Sequence, residues 1–536
     1  MKIFNRLFIL NLVRILLFAI CASLAWWGVT SLMMFIMFVP LLFIQRDKKG
    51  INVMWWWIAA LILWNLSTIW WVWKAAPIGV AAATLTHTVL FSAVLALYNK
   101  SWRLSTLPLS YTLLIAGWVG AEWLYLNGEI SFPWLNIGNG FGIEPYFVQW
   151  YEYTGTLGGT FWVLIVNLLI FEALKGVGKI NIRSIVCRKM IMPLIIFSLP
   201  IIFSLVTYLT YKENGKTVKV AVIQPNIDPY NEKFGGMSPE EQENIIMDLA
   251  SQASHDVSFF VAPETALDND FWMESITTNP TVKRVRYFMK DYPNAEFIAG
   301  LTIYEKYLKI PGKKPPTVTA RTNMRLPFYY DIYNSAIKID TCDSVGIYHK
   351  SRLTIGVEML PYYRYLSFIS DLSVNLGGIS GMLGSQAERE VFKNSSNNVN
   401  IGSAICYESV YGEFFTEFVR KGADLMFVIT NDGWWGNTPG YMQHLSYSSL
   451  RAIESRRNIA RSANTGISAL IDSRGKIYSR TSWDERTLLQ GEVTTNDKLT
   501  FYVVYGDMIG RLCGYTFVLT LLYFIAYRYK KRSHLN

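Results

Sequence analysis

Two blocks of apolar sequence leave this chain few ways to fold. Residues 1–210 and 508–527 are built largely from Leu, Ile, Phe, Val and Trp, and the stretch between them has ordinary soluble composition. A helix needs about 20 apolar residues to cross roughly 30 Å of hydrocarbon, and the first block holds several such runs. Composition agrees: 51% of residues are hydrophobic and 17% charged, where a soluble domain carries about 25% charge. Disorder, a collagen-like repeat and a small disulfide scaffold are excluded. The expectation is an α-helical transmembrane bundle of eight spans carrying one large water-exposed domain.

The spans are expected as two short ones within 8–44, turning at Trp26-Trp27-Gly28, then 53–73, 78–98, 107–126, 158–174, 191–209 and 508–527. The domain boundaries follow: 1–210 with seven helices, 211–506 outside the bilayer, and 507–536 as the eighth helix with a basic tail. A removed signal peptide is not expected, because no small-residue cleavage site follows the first apolar run.

The net charge of +10 invites a nucleic-acid reading, but its distribution refuses it. Residues 211–506 hold 31 Lys and Arg against 33 Asp and Glu; the remainder holds 19 against 7. The excess therefore flanks the apolar runs, where Lys and Arg report the cytoplasmic side. Both termini then lie inside and residues 211–506 outside, which in a bacterium means the periplasmic face of the inner membrane. Ionisable residues within the spans are few (Arg14, His87, Glu122 and Glu172), and no pair of interrupted helices suggests inverted repeats, so a transport pathway is not indicated. The spans read as an anchor. The aromatic loop at 131–135 is expected at the lipid surface.

Between the blocks, strand-like and helix-like runs alternate. Strands are expected at 219–224, 257–261, 297–300, 334–339, 399–406, 425–430 and 467–471, and helices at 239–250, with Ser238 as cap, and 443–457. Such alternation predicts an α/β layered domain. Lys313-Lys314-Pro315-Pro316 reads as an exposed loop. Chemistry belongs where buried strands run out into loops, and three strand ends each deliver one reactive side chain: Glu264, Lys350 and Cys406. Carboxylate, ammonium and thiol make a complete acyl-transfer set of base, oxyanion-stabilising cation and nucleophile. Singly, each has a blander reading: a turn cap, a solvated lysine, a small core cysteine.

The local sequences decide between these. Ala262-Pro263-Glu264-Thr265-Ala266, Tyr348-His349-Lys350 with Glu358 eight residues on, and Ile405-Cys406-Tyr407-Glu408 together resemble the Glu–Lys–Cys triad of the nitrilase (carbon–nitrogen hydrolase) superfamily. Gln224-Pro225-Asn226-Ile227, Tyr333-Asn334-Ser335-Ala336, the run Thr430 to Gly436 and Phe132-Pro133-Trp134-Leu135 narrow the resemblance to bacterial apolipoprotein N-acyltransferases. So does Arg451-Ala452-Ile453-Glu454-Ser455-Arg456-Arg457, followed by the run Arg461 to Ser468. The resemblance implies a nitrilase-like αββα sandwich and a two-step reaction. Cys406 would take an acyl chain from a phospholipid, typically phosphatidylethanolamine, and pass it to the N-terminal amine of a diacylglyceryl-cysteine apolipoprotein. It also implies Glu264 as base, Lys350 as oxyanion stabiliser, and Glu358, Tyr407 and Glu408 in support. Phe234, Trp434 and Trp435 are the expected lid and substrate contacts.

Three positions depart from the common pattern: Ala262 before Pro263, Phe234 after Lys233, and the run 353–357 before Glu358. They leave the triad intact and bear on the acyl pocket and its lid. The five His residues lack close ligand spacing and no Cys pair is spaced CxxC, so neither metal nor cofactor is expected. The Gly377-Gly378 region lacks a phosphate-loop pattern. Arg451, Arg456, Arg457 and Arg461 read as ion-pairing structural residues. Three competitors remain: a Cys342–Cys406 disulfide, disfavoured because Cys342 lies in a turn between two strands while Cys406 ends a different one; an anchored amidase with water as acceptor; and a non-catalytic scaffold, against which the intact triad argues. Cys21, Cys187 and Cys513 read as bystanders.

Overall fold

The computed structural model describes residues 2–47, 51–175, 182–310, 312–322, 326–362, 382–393 and 398–533. Its contacts divide the chain into two compact units. One comprises Met1–Trp73, Pro77–Thr210 and Tyr505–Asn536; the other comprises Tyr211–Val504 together with the short segment Lys74–Ala76.

The first unit is helical. Among the described residues, six helices are long and apolar enough to cross a membrane: Arg6–Ser23, Asn52–Lys74, Pro77–Leu104, Tyr151–Leu174, Arg188–Thr210 and Met508–Lys531. Two of the eight expected spans are built differently. The second half of 8–44 is a 3-10 turn, Leu32–Ile36, followed by a nine-residue helix, Val39–Asp47, with Pro40 in its first turn. Proline suits that position because its missing N–H would have no partner there. Helix Leu107–Asn127 has span length, 21 residues, but is not one of those six.

The aromatic loop corrects the expectation of a lipid-surface position. Pro133, Trp134 and Leu135 are buried, as are residues 137–142. Irregular backbone is tolerated in such a bundle only when its polar groups are satisfied within the protein. Here the Ile137 N–H donates to Glu122 Oε1 at 2.9 Å and the Gly138 N–H to Thr160 Oγ1 at 3.0 Å. A Cβ at Gly138 would lie 1.9 Å from Thr156 O, so only glycine fits. Glu122 thus works as an internal acceptor, which explains an ionisable residue in an apolar helix without invoking transport.

In the second unit the described strands form two sheets. The first contains β1 (Thr217–Gln224), β2 (Phe259–Val261), β3 (Leu267–Trp272), β4 (Glu296–Leu308), β5 (Phe328–Ile339), β6 (Gly346–His349) and β13 (Thr487–Thr494). Its order is β13-β1-β2-β4-β5-β6, with β3 also on β4. The second contains β7 (Val391–Phe392), β8 (Ile401–Ile405), β9 (Leu425–Thr430), β10 (Ile459–Ala463), β11 (Ala469–Ile471) and β12 (Ile477–Arg480), in the order β12-β11-β10-β9-β8-β7. The sheets face each other: Phe259 meets Phe427 edge-on at 5.6 Å, and Ser462 Oγ donates to Ile223 O at 2.8 Å.

Helices cover the outer faces. Pro239–Ala250 starts in a capping box, Ser238 Oγ accepting from Glu241 N while Glu241 Oε2 accepts from Ser238 N, which satisfies two otherwise unpaired donors. Its Ile246, Leu249 and Ala250 join Ala221, Ile223 and Phe260 in one core, as do Val282 and Val285 of helix Pro280–Phe288. Gly412–Arg420 and Pro439–Ser455 lie on the second sheet. The result is an αββα sandwich. β8, β9 and β10 are parallel neighbours, as are β1, β2 and β4. Parallel strands covered on both faces read as continuous apolar runs, and β8, β9 and β10 are buried at every position.

Candidate active site

Parallel strands end together, so the loops after them share one edge of the sandwich. β2 runs out through Ala262-Pro263 into Glu264, β8 into Cys406 and β9 into Asn431. The turn after β2 is held against β4, Ala262 N donating to Ile298 O and Gly300 N to Pro263 O. A side chain at Gly300 would place its Cβ 2.6 Å from the Glu264 Cα. That glycine lets β4 approach the carboxylate's own backbone.

Lys350 follows β6, its N–H donating to Asn334 O at 2.8 Å. Its ammonium is buried between two carboxylates, 3.2 Å from Glu264 Oε1 and 2.9 Å from Glu358. Burial works against this charge, but Glu358, Glu264 and Cys406 outweigh it and hold the lysine protonated well above its ordinary range. Asn334 Nδ2 donates to the same two carboxylates, at 2.8 Å each. Glu264 Oε2 accepts the Asn431 N–H at 3.2 Å, and Glu358 Oε2 accepts that of Thr354 at 2.7 Å. Both carboxylates are fixed at both oxygens.

Cys406 is half-buried and sits at φ +52°, a left-handed backbone that non-glycine residues adopt only under constraint. It opens a 3-10 turn, Cys406–Val410. Burial pushes its thiol up, Glu264 adds to that, and Lys350 opposes it. The resting group is therefore a neutral thiol that needs a base, with a fixed carboxylate and a permanent cation beside it. Cys342 is exposed and also free, so the two cysteines are not bridged.

Seven of the nine residues singled out by sequence share one cavity of about 80 Å³: Glu264, Lys350, Glu358, Cys406, Tyr407, Trp434 and Trp435, together with Ala75, Thr354, Val357 and Asn431. The other two stand behind its walls. Phe234 stacks on Trp434 at 5.9 Å, in an apolar cluster with Leu353 and Leu383. Glu408 reaches away from the cavity; its Oε2 accepts the Ile405 N–H, and its Oε1 accepts Ser351 N, Arg352 N and Tyr348 OH. Of the departures, Thr354 and Val357 line the cavity, whereas Ala262 is core.

A family model for carbon–nitrogen hydrolases matches residues 219–497, and one for the N-terminal domain of apolipoprotein N-acyltransferases matches residues 15–169. A protein of Chlorobaculum tepidum named apolipoprotein N-acyltransferase is 30% identical over 477 residues, 86% of each chain. The chain belongs to the apolipoprotein N-acyltransferase family. A second relative of the same name, from Geobacter metallireducens, is 28% identical and covers 81% of this chain and 78% of its own. A CN-hydrolase superfamily structure from Xanthomonas campestris aligns at 14% identity and TM-score 0.35, over 52% of this chain and 91% of its own.

For this N-acyltransferase family member, sequence reasoning passed over three contributors. Asn334 and Asn431 stand in the sequence only as members of motifs, and Ala75 lies in the apolar block 1–210. Arg451 and Arg461 pair with Glu454 and Asp432, as expected. Arg457 donates to the carbonyls of Ala423, Ser455 and Lys498, and Arg456 to that of Ser473. The Gly377-Gly378 region and the Cys187 side chain lie outside the described residues.

Proposed function

We propose that this chain, an acyltransferase of lipoprotein maturation, moves an acyl chain in two steps through a thioester on Cys406. The donor is a membrane phospholipid such as phosphatidylethanolamine, and the acceptor is the N-terminal amine of a diacylglyceryl-cysteine apolipoprotein. Glu264 takes the thiol proton as sulfur attacks the sn-1 ester carbonyl. The tetrahedral oxyanion forms beside the Lys350 ammonium. The ester C–O bond then breaks, and Glu264 returns its proton to the leaving oxygen of the lysophospholipid. In the second step the amine attacks the thioester and loses its proton to Glu264. The C–S bond breaks and the thiol is restored.

The observation that carries this reading is the arrangement around Lys350. A buried ammonium fixed by two carboxylates cannot act as the base, so it is left to stabilise negative charge, while Glu264 is fixed and, among the described residues, takes side-chain hydrogen bonds from Lys350 and Asn334 alone. Glu358, Tyr407 and Glu408 hold this geometry, and Phe234, Trp434 and Trp435 form the side on which a lipid enters. The topology proposed with it has eight spans, 31–47 and 107–127 crossing with the six apolar helices. Both termini are cytoplasmic, and residues 211–506 form the catalytic domain on the periplasmic face of the inner membrane.

Mass spectrometry of purified protein incubated with phospholipid alone should find one acyl chain on Cys406. Cys406→Ala should lack it while remaining folded, and Cys342→Ala should be unaffected. Acylation elsewhere in the chain, or hydrolysis without an acyl-enzyme, would overturn the reading.

A further inference from the structure

Behind Cys406 lies a buried side-chain network that the mechanism above does not use. The His444 ring is buried on helix Pro439–Ser455. Its Nε2 lies 3.3 Å from Cys406 O and 3.0 Å from Ser409 Oγ, and Ser409 Oγ itself donates to Cys406 O at 2.7 Å. A carbonyl oxygen can only accept and a guanidinium can only donate, so the neutral ring that satisfies both carries its proton on Nε2 and accepts from Arg461 at Nδ1. On the other side of the ring, Nδ1 lies 2.9 Å from Asp432 Oδ1 and 3.1 Å from an Arg461 nitrogen. Arg461 donates to Asp432 Oδ2 at 2.6 Å, and Thr430 Oγ1 donates to Oδ1 at 3.0 Å. Trp435, a wall of the thiol's cavity, meets the same imidazole edge-on at 5.5 Å.

We infer that His444 is a positioning residue for the acyl transfer: held at Nδ1 by Arg461, which Asp432 holds in turn, it pins the carbonyl of Cys406 and so holds the nucleophile's left-handed backbone against relaxation. The argument is one of constraint. A residue at φ +52° keeps that conformation only when its surroundings over-determine it. Here two buried donors meet on one carbonyl, in the turn that the Glu408 side chain also closes onto the Ile405 N–H. Asp432 ties the two halves of the site together. It follows Asn431, whose N–H holds Glu264 Oε2, and it precedes the Trp434-Trp435 wall. One imidazole therefore sets the thiol, and the carboxylate that holds Arg461 sets the base's partner. A displacement of about 1 Å at a reacting atom costs roughly 10²-fold in rate.

The inference rests on Cys406 being the nucleophile, and the test separates the two. Wild-type protein is first incubated with phospholipid; absence of a Cys406 thioester there refutes the mechanism, not the positioning. With that step in hand, His444→Leu, of similar volume and without a donor, is compared with wild type and with His444→Gln, whose amide N–H reaches toward Cys406 O. Two quantities are read on folded protein: the rate of thioester formation, and the pH dependence of Cys406 alkylation by iodoacetamide. The Leu variant should form the thioester about 10²-fold more slowly, and its alkylation inflection should rise as sulfur moves away from the Lys350 ammonium. The Gln variant should recover part of both. Ser409→Ala, which deletes one atom of the pin, decides the matter if the Leu variant does not fold: it should move both readouts the same way. Folded variants with wild-type thioester rates and an unmoved inflection would overturn the inference.

Discussion

Tyr348 donates its hydroxyl to Glu408 Oε1 at 2.8 Å, joining the strand that leads to Lys350 with the turn that carries Cys406. The same carboxylate accepts three backbone N–H groups, from Ile405, Ser351 and Arg352. Cation and thiol come from different sheets, and this side chain is one of the ties that hold their separation, beside the Asn431 N–H on Glu264.

Glu408→Ala should therefore be costly. It strands buried donors, each at about 1–3 kcal/mol, and the loss should exceed about 3 kcal/mol overall. Glu408→Gln keeps an acceptor for some of them and should lose less. Thermal melting in detergent, read beside thioester formation, checks both. A silent Glu408→Ala would mean that the two sheets hold the site without it.

Glu264→Gln keeps the shape of the side chain and removes the base, so thioester formation should slow by about 10²–10⁴-fold. Lys350→Met removes the cation, for which roughly 10²–10³-fold is expected. The double variant should be far from the product of the two, because both groups act on one thiol and one tetrahedral centre. Normal accumulation of acylated protein in either single variant would refute its role.

His349 gives a stability prediction with a sign. Its ring stacks on Tyr333 at 4.2 Å, and burial lowers it to about 4, whereas in the unfolded chain it titrates near about 6.5. The folded state thus refuses a proton that the unfolded state takes. The contribution is complete above the unfolded value and is lost as pH falls from there toward about 4. Denaturation at pH 7.5 and at steps down to 5 should show stability falling. His349→Gln should flatten that slope; an equally steep slope in the variant would assign it to other groups.

Orientation is tested at the exposed loop containing Lys314. In a Cys342→Ala background, Lys314→Cys should label with an impermeant thiol reagent in intact spheroplasts. Labelling only after lysis would invert the topology.

Legibility in the sequence followed the range of the interactions. Glu264, Lys350 and Cys406 announce themselves because each closes a buried strand, and local sequence fixes strand ends. His444 does not, since its meaning comes from Cys406, 38 positions away, and from Asp432, 12 away. The loop 131–135 was misread for a related reason. Aromatic side chains favour both lipid surfaces and bundle interiors, and the acceptors for the backbone just after this loop, Glu122 and Thr160, are distant from it in sequence. Spans of full length and high apolar content could be read directly; the broken segment 32–47 could not, because its break at 37–38 lies inside a continuous apolar run.

The tripeptide Lys74–Ala76 has a bearing on heredity. It is encoded more than a hundred codons before the sandwich, yet it folds with it, and Ala75 is part of the wall around the thiol. A gene fragment covering only 211–504 would therefore specify a cavity with one side missing. Recombination that exchanged this sandwich for a relative's would have to carry a compatible residue 75 along with it. The lining of the thiol's cavity is thus written in two distant stretches of sequence, and neither stretch specifies it alone.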